Sequence, residues 1–286
     1  MLVAAIVTVT APEPAEVPAF LGRAVQAWFL GLVRQHSPAM AEALHMGDGP
    51  RPYTVSNLFG AGSVRGGRLL LEPGRAGSLR ITTLVDDLSG LLVERILPAL
   101  PGTPMDLGGA VLRVESVTTR HADHPWAGRA SAPGLVAAHT LNGTDRRLSL
   151  RFVSPTTFRS EGNNVVFPLP ELVFGNLITR WNTFSPVTFH EDAKRFARER
   201  VVASKFDLHS AYTKFSRDEH GAAVGCVGTC RYHIQSGDRY WGGVIRTLAA
   251  YTFFAGIGAH TAIGMGQSAL WDEEARRPIT VGWDEV

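Results

Sequence analysis

No uninterrupted apolar run of the roughly 18 or more residues that a membrane-crossing helix needs occurs in the 286-residue chain, so no membrane partner is expected. Cysteine is nearly absent. The two present, Cys226 and Cys230, fall in one strand-like run, where four residues span roughly 13 Å, beyond disulfide reach. They read as reduced, structural thiols, which suits a cytoplasmic location. Charge of one sign is also scarce, since 28 Lys and Arg face 26 Asp and Glu for a net +2, so total charge does not by itself name a polyanionic partner. The opening run MLVAAIVTVTAPEP has no basic stretch and soon meets Pro12 and Pro14, so it does not read as a signal peptide.

What is present is ordinary globular material, 45% hydrophobic and 19% charged, in a chain long enough for two domains. Leu2–Thr10 alternates small and β-branched residues and reads as a strand. Apolar residues at helical spacing follow over Ala15–Gln35 (Val17, Leu21, Ala24, Trp28, Leu32). Ser37-Pro38 predicts the start of a short helix that ends near His45, with Gly47 as its stop. Strands are expected at Tyr53–Phe59, Gly67–Leu71 and Leu79–Leu84, a helix at Leu88–Leu100 and a strand at Ala110–Thr118. The order βαββαβ is that of a ferredoxin-like unit. After a Gly-, Pro-, Ala- and His-rich join at 121–147, the order repeats. A strand is expected at Leu148–Phe158, a helix at Leu169–Phe184, a hairpin strand at Ala222–His233, a helix at Tyr240–Ala255 and a strand at Gly266–Trp271. The expected fold is therefore α+β, with two tandem ferredoxin-like (RRM-like) domains at 1–120 and 148–286.

The densest glycine cluster is Gly256-Ile-Gly-Ala-His-Thr-Ala-Ile-Gly-Met-Gly-Gln267. It lacks the lysine of a phosphate-binding P-loop. Gly264-Met-Gly266-Gln-Ser-Ala269 fits a relaxed dinucleotide fingerprint, but too little chain follows to complete the βαβ unit. A tight turn and an anion-cradling loop both stay open for it. The run resembles the C-terminal glycine-rich loop of the Cas six family, the CRISPR repeat-processing endoribonucleases of the RAMP superfamily. Other pieces agree in order: Ala43–Ser56, with a histidine closing a helix before a strand; Leu150-Arg-Phe-Val-Ser-Pro-Thr-Thr-Phe158; Pro168-Leu-Pro170 with Leu177–Asn182; and Gly225-Cys-Val-Gly-Thr-Cys-Arg-Tyr232.

The resemblance implies cleavage of CRISPR precursor RNA within each repeat by the RNA's own 2′-hydroxyl. The products would carry a 2′,3′-cyclic phosphate and a 5′-hydroxyl, and neither cofactor nor metal is implied. His45 matches the family's N-terminal histidine and lies at a helix end, where the dipole favours positive charge. Arg51 falls where some members carry a lysine, and would neutralise phosphate charge without acting as a proton donor. Leu30 stands where some members carry a tyrosine, with Tyr53 as a candidate substitute. Lys194, Arg195, Arg198, Arg200 and Lys205 form a basic stripe that suits the RNA backbone, or simply a solvated face. From the loop, the backbone of Gly256, Gly258, Gly264 and Gly266 and the side chains of His260, Thr261 and Gln267 are expected to contact RNA. His36, before a helix start, reads as structural or surface. His121, His124 and His139, like His190-Glu191-Asp192, lack a completing ligand set for metal and read as surface residues. The partner expected is CRISPR repeat RNA, with a homodimer or a CRISPR effector complex also compatible. A non-catalytic repeat-binding RAMP subunit is the rival reading.

Overall fold

The alternation along Leu2–Thr10 sends Val3, Ala5, Val7 and Val9 to one face, where all four are fully buried. Leu2, Ala4 and Ile6 of the opposite face are buried as well, so the strand is covered on both faces, as a central strand is, rather than alternating between core and solvent. In the computed structural model, which describes residues 1–46, 49–141, 145–215 and 221–284, it is β1 of the first of two units. The N-terminal unit comprises Val3–Gly128 with Ala262–Gly264. The C-terminal unit comprises Met1–Leu2, Arg129–Thr261 and Met265–Val286.

In the N-terminal unit, β1 is followed by β2 (Ala15–Pro18), α1 (Gly22–His36), α2 (Pro38–His45), β3 (Tyr53–Val55), β4 (Gly62–Arg65), β5 (Arg68–Leu71) and β6 (Ala76–Thr83). The helical stretch α3 (Asp86–Leu91) runs through a π-helical turn, Leu92–Ile96, into α4 (Leu97–Ala99). β7 (Pro104–Leu107) and β8 (Ala110–Thr118) follow. The sheet order is β3-β6-β1-β8-β7, with β1 antiparallel to both neighbours. Taking β1, β3, β6 and β8 as the four strands of βαββαβ gives the order 2-3-1-4, the ferredoxin-like arrangement. Phe29, Val33, Leu88, Leu92 and Ile96 bring the helices onto the core.

Three local expectations differ. Residues 15–18 form a strand rather than the first turn of α1, because Val17 is buried by pairing with Leu69 of β5. The run Gly67–Leu71 joins this separate sheet, β2-β5-β4, not the main one. The predicted helix over 88–100 is interrupted because Pro98 has no N–H. Leu97 bonds back to the carbonyl of Leu92, five residues away, opening the π turn.

The C-terminal unit contains β9 (Gly128–Ala130), α5 (Ala132–Leu141), β10 (Arg147–Thr156), the small hairpin β11 (Phe158–Ser160) and β12 (Asn163–Val165), α6 (Pro170–Phe184) and α7 (Asp192–Arg200). It then has β13 (Val201–Lys214), β14 (Ala222–Ile234), α8 (Arg239–Ala255), β15 (Ser268–Asp272) and β16 (Arg277–Pro278). Its sheet order is β13-β14-β10-β15-β16, again 2-3-1-4 for the four ferredoxin-type strands. Leu148, Leu150 and Phe152 of β10 point to the core that α6 and α8 cover. Trp181 stacks on Phe189 and meets Tyr251 edge-on at 4.9 Å. Cys226 and Cys230 are buried free thiols on β14. Among the described residues no helix is long and apolar enough to cross a membrane.

Candidate RNA-cleaving site

Ser37 caps α2 through its hydroxyl, which accepts from the Met40 N–H, and Pro38 needs no partner at the first helical position. Ala41 and Leu44 reach the core, and the helix ends one residue after Leu44, leaving His45 exposed as its last residue. Met46 closes the helix by bonding to the Glu42 carbonyl, and Gly47 lies outside the described residues.

Arg51 returns to this helix end. Its Nη1 donates to the carbonyls of Leu44 and Met46, both at 2.9 Å, and its Nη2 to that of His45 at 3.3 Å. These are orphan carbonyls at a helix C-terminus, where a cation is favoured twice, by hydrogen bonding and by the dipole. The guanidinium is committed to the backbone that carries His45, and a free phosphate clamp is not its geometry. A hollow of about 300 Å³ lies alongside, lined by Met40, Leu44, Met46, Arg51, Val85 and Leu88 among others.

Tyr53 is corrected more sharply. It is 1% exposed, tilts against Phe29 at 5.3 Å and accepts at Oη from Gln26 Nε2 at 3.0 Å. Burial also holds its hydroxyl above the usual phenol range, so it keeps its proton. Tyr53 opens β3, the edge strand of the sheet, whose three residues are all buried, and its ring fills a core position.

The basic stripe divides. Lys194, Arg195, Arg198 and Arg200 are exposed on α7, while Ala193 and Ala197 form its buried face. Arg195 pairs with Asp192 at 3.1 Å and Arg198 lies 3.9 Å from Glu199. Lys205 belongs to β13 instead, opposite Arg231. It lines a second hollow of about 230 Å³ with Arg151, Thr229, Trp271 and Glu273. The helix–strand boundary after Arg200 is what separates it from the other four.

The glycine loop turns its polarity inward. Gly256 N–H bonds to Thr252 O, Ile257 to Gly266 O, Gly258 to Asn176 Oδ1, Ala259 to Thr157 O, Gly266 to Pro155 O and Gln267 to Ser154 Oγ. A Cβ on Gly258 would sit 2.3 Å from the Thr157 oxygen, and one on Gly266 2.1 Å from that of Ile257. The glycines at 256, 258 and 266 therefore serve close packing of backbone on backbone, and their N–H groups are not aimed at an anion. Gly264, at φ 99°, packs against Phe20 and Gly22. The side chains of Thr261 and Gln267 are 4% and 2% exposed, so the expected contacts from these two are also withdrawn. His260 remains half exposed, in a left-handed conformation (φ 62°), with its ring 5.1 Å from Phe215.

The anchors Asn176, Ser154 and Asn57 were missed from sequence. Asn57 accepts from the Leu21 N–H and donates to the Ala19 carbonyl before α1. The one available signal was Asn176 as the single polar side chain in the stretch 173–178 of α6. Of the other histidines, His139 is buried rather than superficial, donating through Nε2 to the Val281 carbonyl at 3.1 Å. Among the described residues no three His, Cys, Asp or Glu side chains gather in a metal-holding group.

Two family models account for nearly all of this architecture. The CRISPR Cas6 N-terminal domain matches residues 2–136, and the CRISPR-associated endoribonuclease Cas6 model matches residues 150–268. The chain belongs to the Cas6 family. A CRISPR-associated endoribonuclease Cas6 from Streptococcus thermophilus is 25% identical over 120 residues, 41% of this chain and 48% of that protein. The match thus spans about half the length of this curated relative. Among solved structures, a Thermus thermophilus Cas6 product complex superposes with a TM-score of 0.78 at 25% identity, covering 94% of this chain and 99% of that one. Another Cas6 product complex gives 0.74 at 26% identity, over 95% and 99%. The Cas6 fold, two ferredoxin-like domains, is the one described above.

Proposed function

We propose that this Cas6 protein binds CRISPR repeat RNA and cuts it once per repeat, without metal, using the substrate's 2′-hydroxyl. Membership of a family described as endoribonucleases and likeness to Cas6 product complexes support the substrate class. The single observation that carries the chemistry is the exposed imidazole of His45 at the clamped end of α2. In this reading the O2′–H proton is removed, the O2′–P bond forms and the P–O5′ bond breaks. His45 serves the proton transfers, delivering a proton to the departing O5′ or taking the one from O2′. The cyclic phosphate and 5′-hydroxyl ends follow. The exposed cations of α7 and Lys205 hold the phosphate backbone by charge, and His260, half exposed against Phe215, is a further candidate contact.

One observation favours a second reading. With Arg51 bound to helix carbonyls and Tyr53 in the core, His45 has no side-chain partner among the described residues for a two-group acid–base mechanism. That composition suits a RAMP subunit that grips repeat RNA and leaves it intact. Incubation with end-labelled repeat RNA in excess EDTA, beside a substrate with one 2′-deoxy substitution at the mapped cut, separates the two. A single cut in EDTA that the 2′-deoxy substrate abolishes is the expected result. Tight binding with no cut, even after metal is restored, overturns the nuclease and leaves the binder.

A further inference from the structure

The two hollows already described hold paired or mixed charges, and the buried thiols of β14 lack access. A different surface carries more. Three rings that sequence reading passed over meet where α7 packs on α8. Phe196 of α7 stacks on Trp241 of α8, with centroids 5.8 Å apart and planes 21° apart. Tyr240 meets the same Trp241 edge-on at 5.0 Å. The series is ordered from inside to outside. Phe196 and Trp241 are half buried, whereas Tyr240 is 56% exposed. Single exposed rings are ordinary, and Phe206 and Tyr212 are more exposed still; Tyr240 differs in being backed by two further rings.

The ladder is held in place from both sides. Asp238 caps α8, its carboxylate accepting from the Trp241 N–H at 3.0 Å, which fixes the backbone beneath the two rings. The Gln235 N–H bonds to the Arg200 carbonyl at 2.7 Å, tying the approach to α8 to the end of α7. The same Asp238 occupies the helix N-terminus, so an incoming anion is not drawn there.

Charge around the ladder comes from side chains instead. Arg200 lies one turn beyond Phe196 on the same helix face, and Arg239 directly precedes Tyr240. Lys194, Arg200 and Arg239 carry no ion pair among the described residues, while Arg195 and Arg198 share theirs with Asp192 and Glu199. An exposed ring beside uncommitted cations is the combination that holds a nucleotide, the base on the ring and the phosphate on the cations. Bases inside a duplex are stacked on both faces, so a ring that must lie against one, with cations on the phosphates to either side, suits an unpaired base.

We propose that Tyr240, supported by Trp241 and Phe196, is a stacking subsite for one unpaired base of the bound RNA, with Arg200 and Arg239 on its flanking phosphates. This deepens the RNA-binding reading above and rests on it. A helix-face contact with a protein partner would use the same exposed ring but would need no free nucleobase.

The test uses the full chain and repeat RNA carrying 2-aminopurine at each unpaired position in turn, beside a blunt duplex of the same stem. At one or two adjacent positions, fluorescence is expected to fall on binding. Tyr240→Ala and Tyr240→Leu lose that quench and weaken the flanked RNA roughly five- to 150-fold, while Tyr240→Phe retains both and the blunt stem is unaffected. Tyr240→Leu keeps apolar bulk, so a loss shared with Ala reports the missing ring face. The inference is overturned if the flanked RNA binds and no position's quench depends on Tyr240, the result a protein-docking role gives. It is equally overturned if the blunt stem weakens as much as the flanked RNA. Failure of wild-type protein to bind either RNA would instead overturn the RNA-binding reading beneath it.

Discussion

At the scale of single residues, His45 and Arg51 divide labour that a motif reading assigns jointly. His45 is exposed and last in its helix, and Arg51 spends its donors on three carbonyls of that helix end. Replacing His45 with Ala is expected to lower the cleavage rate about 10²- to 10⁴-fold while the dissociation constant for repeat RNA stays near wild type. Cleavage that survives this change removes His45 from the mechanism. Arg51→Ala acts differently. It leaves the carbonyls uncapped, costs about 1–2 kcal/mol in thermal or urea unfolding, and slows cutting roughly 10- to 100-fold through a displaced imidazole. Arg51→Lys, with one compact cation in place of the fork, is expected to fall between the two in both measurements. A phosphate-binding role would instead raise KM with little change in unfolding.

At the scale of elements, the glycine loop teaches the most. Its glycines are required, but by a wall of carbonyls from β10, the segment before β11 and the loop itself. Gly258 combines φ 81° with a virtual Cβ 2.3 Å from the Thr157 oxygen. Gly258→Ala is therefore expected to cost about 1–3 kcal/mol of strain, read as a lowered Tm with RNA affinity falling only in proportion to unfolding. A loop that cradled phosphate through that N–H would lose affinity at full stability. The π turn in the α3–α4 stretch has an equally local cause in Pro98. A strand boundary likewise explains the split basic stripe, since Arg200 ends a helix and Lys205 sits on the next strand.

At the scale of the whole molecule, titration of a buried histidine couples pH to folding. Burial first, and the Arg246 guanidinium after it, hold His139 below its ordinary value, against the raising effect of its bond to Val281 O. The unfolded chain then binds more protons than the folded one once pH drops below about 6.5. Stability from this group is fully present above that value and lost as pH falls toward the depressed folded value. The Tm is expected to decline between pH 7 and 5. His139→Gln, which can still donate to the carbonyl, should flatten that decline. An unchanged slope would place the acid sensitivity elsewhere, the half-buried His124 being the next candidate.

Several features were determined by the sequence alone. The small and β-branched run of β1, the Ser37-Pro38 start of α2 and the glycine cluster before β15 are local patterns, because strand preference, capping and backbone freedom depend on near neighbours. From them came the βαββαβ order, the family resemblance and His45. Tertiary structure decided the rest. Whether Tyr53 faces solvent or core, which carbonyl a glycine must clear, where Arg51 spends its fork and that Phe196 meets Trp241 all depend on residues distant in the chain. Such contacts are set by packing, and packing leaves no period in the sequence.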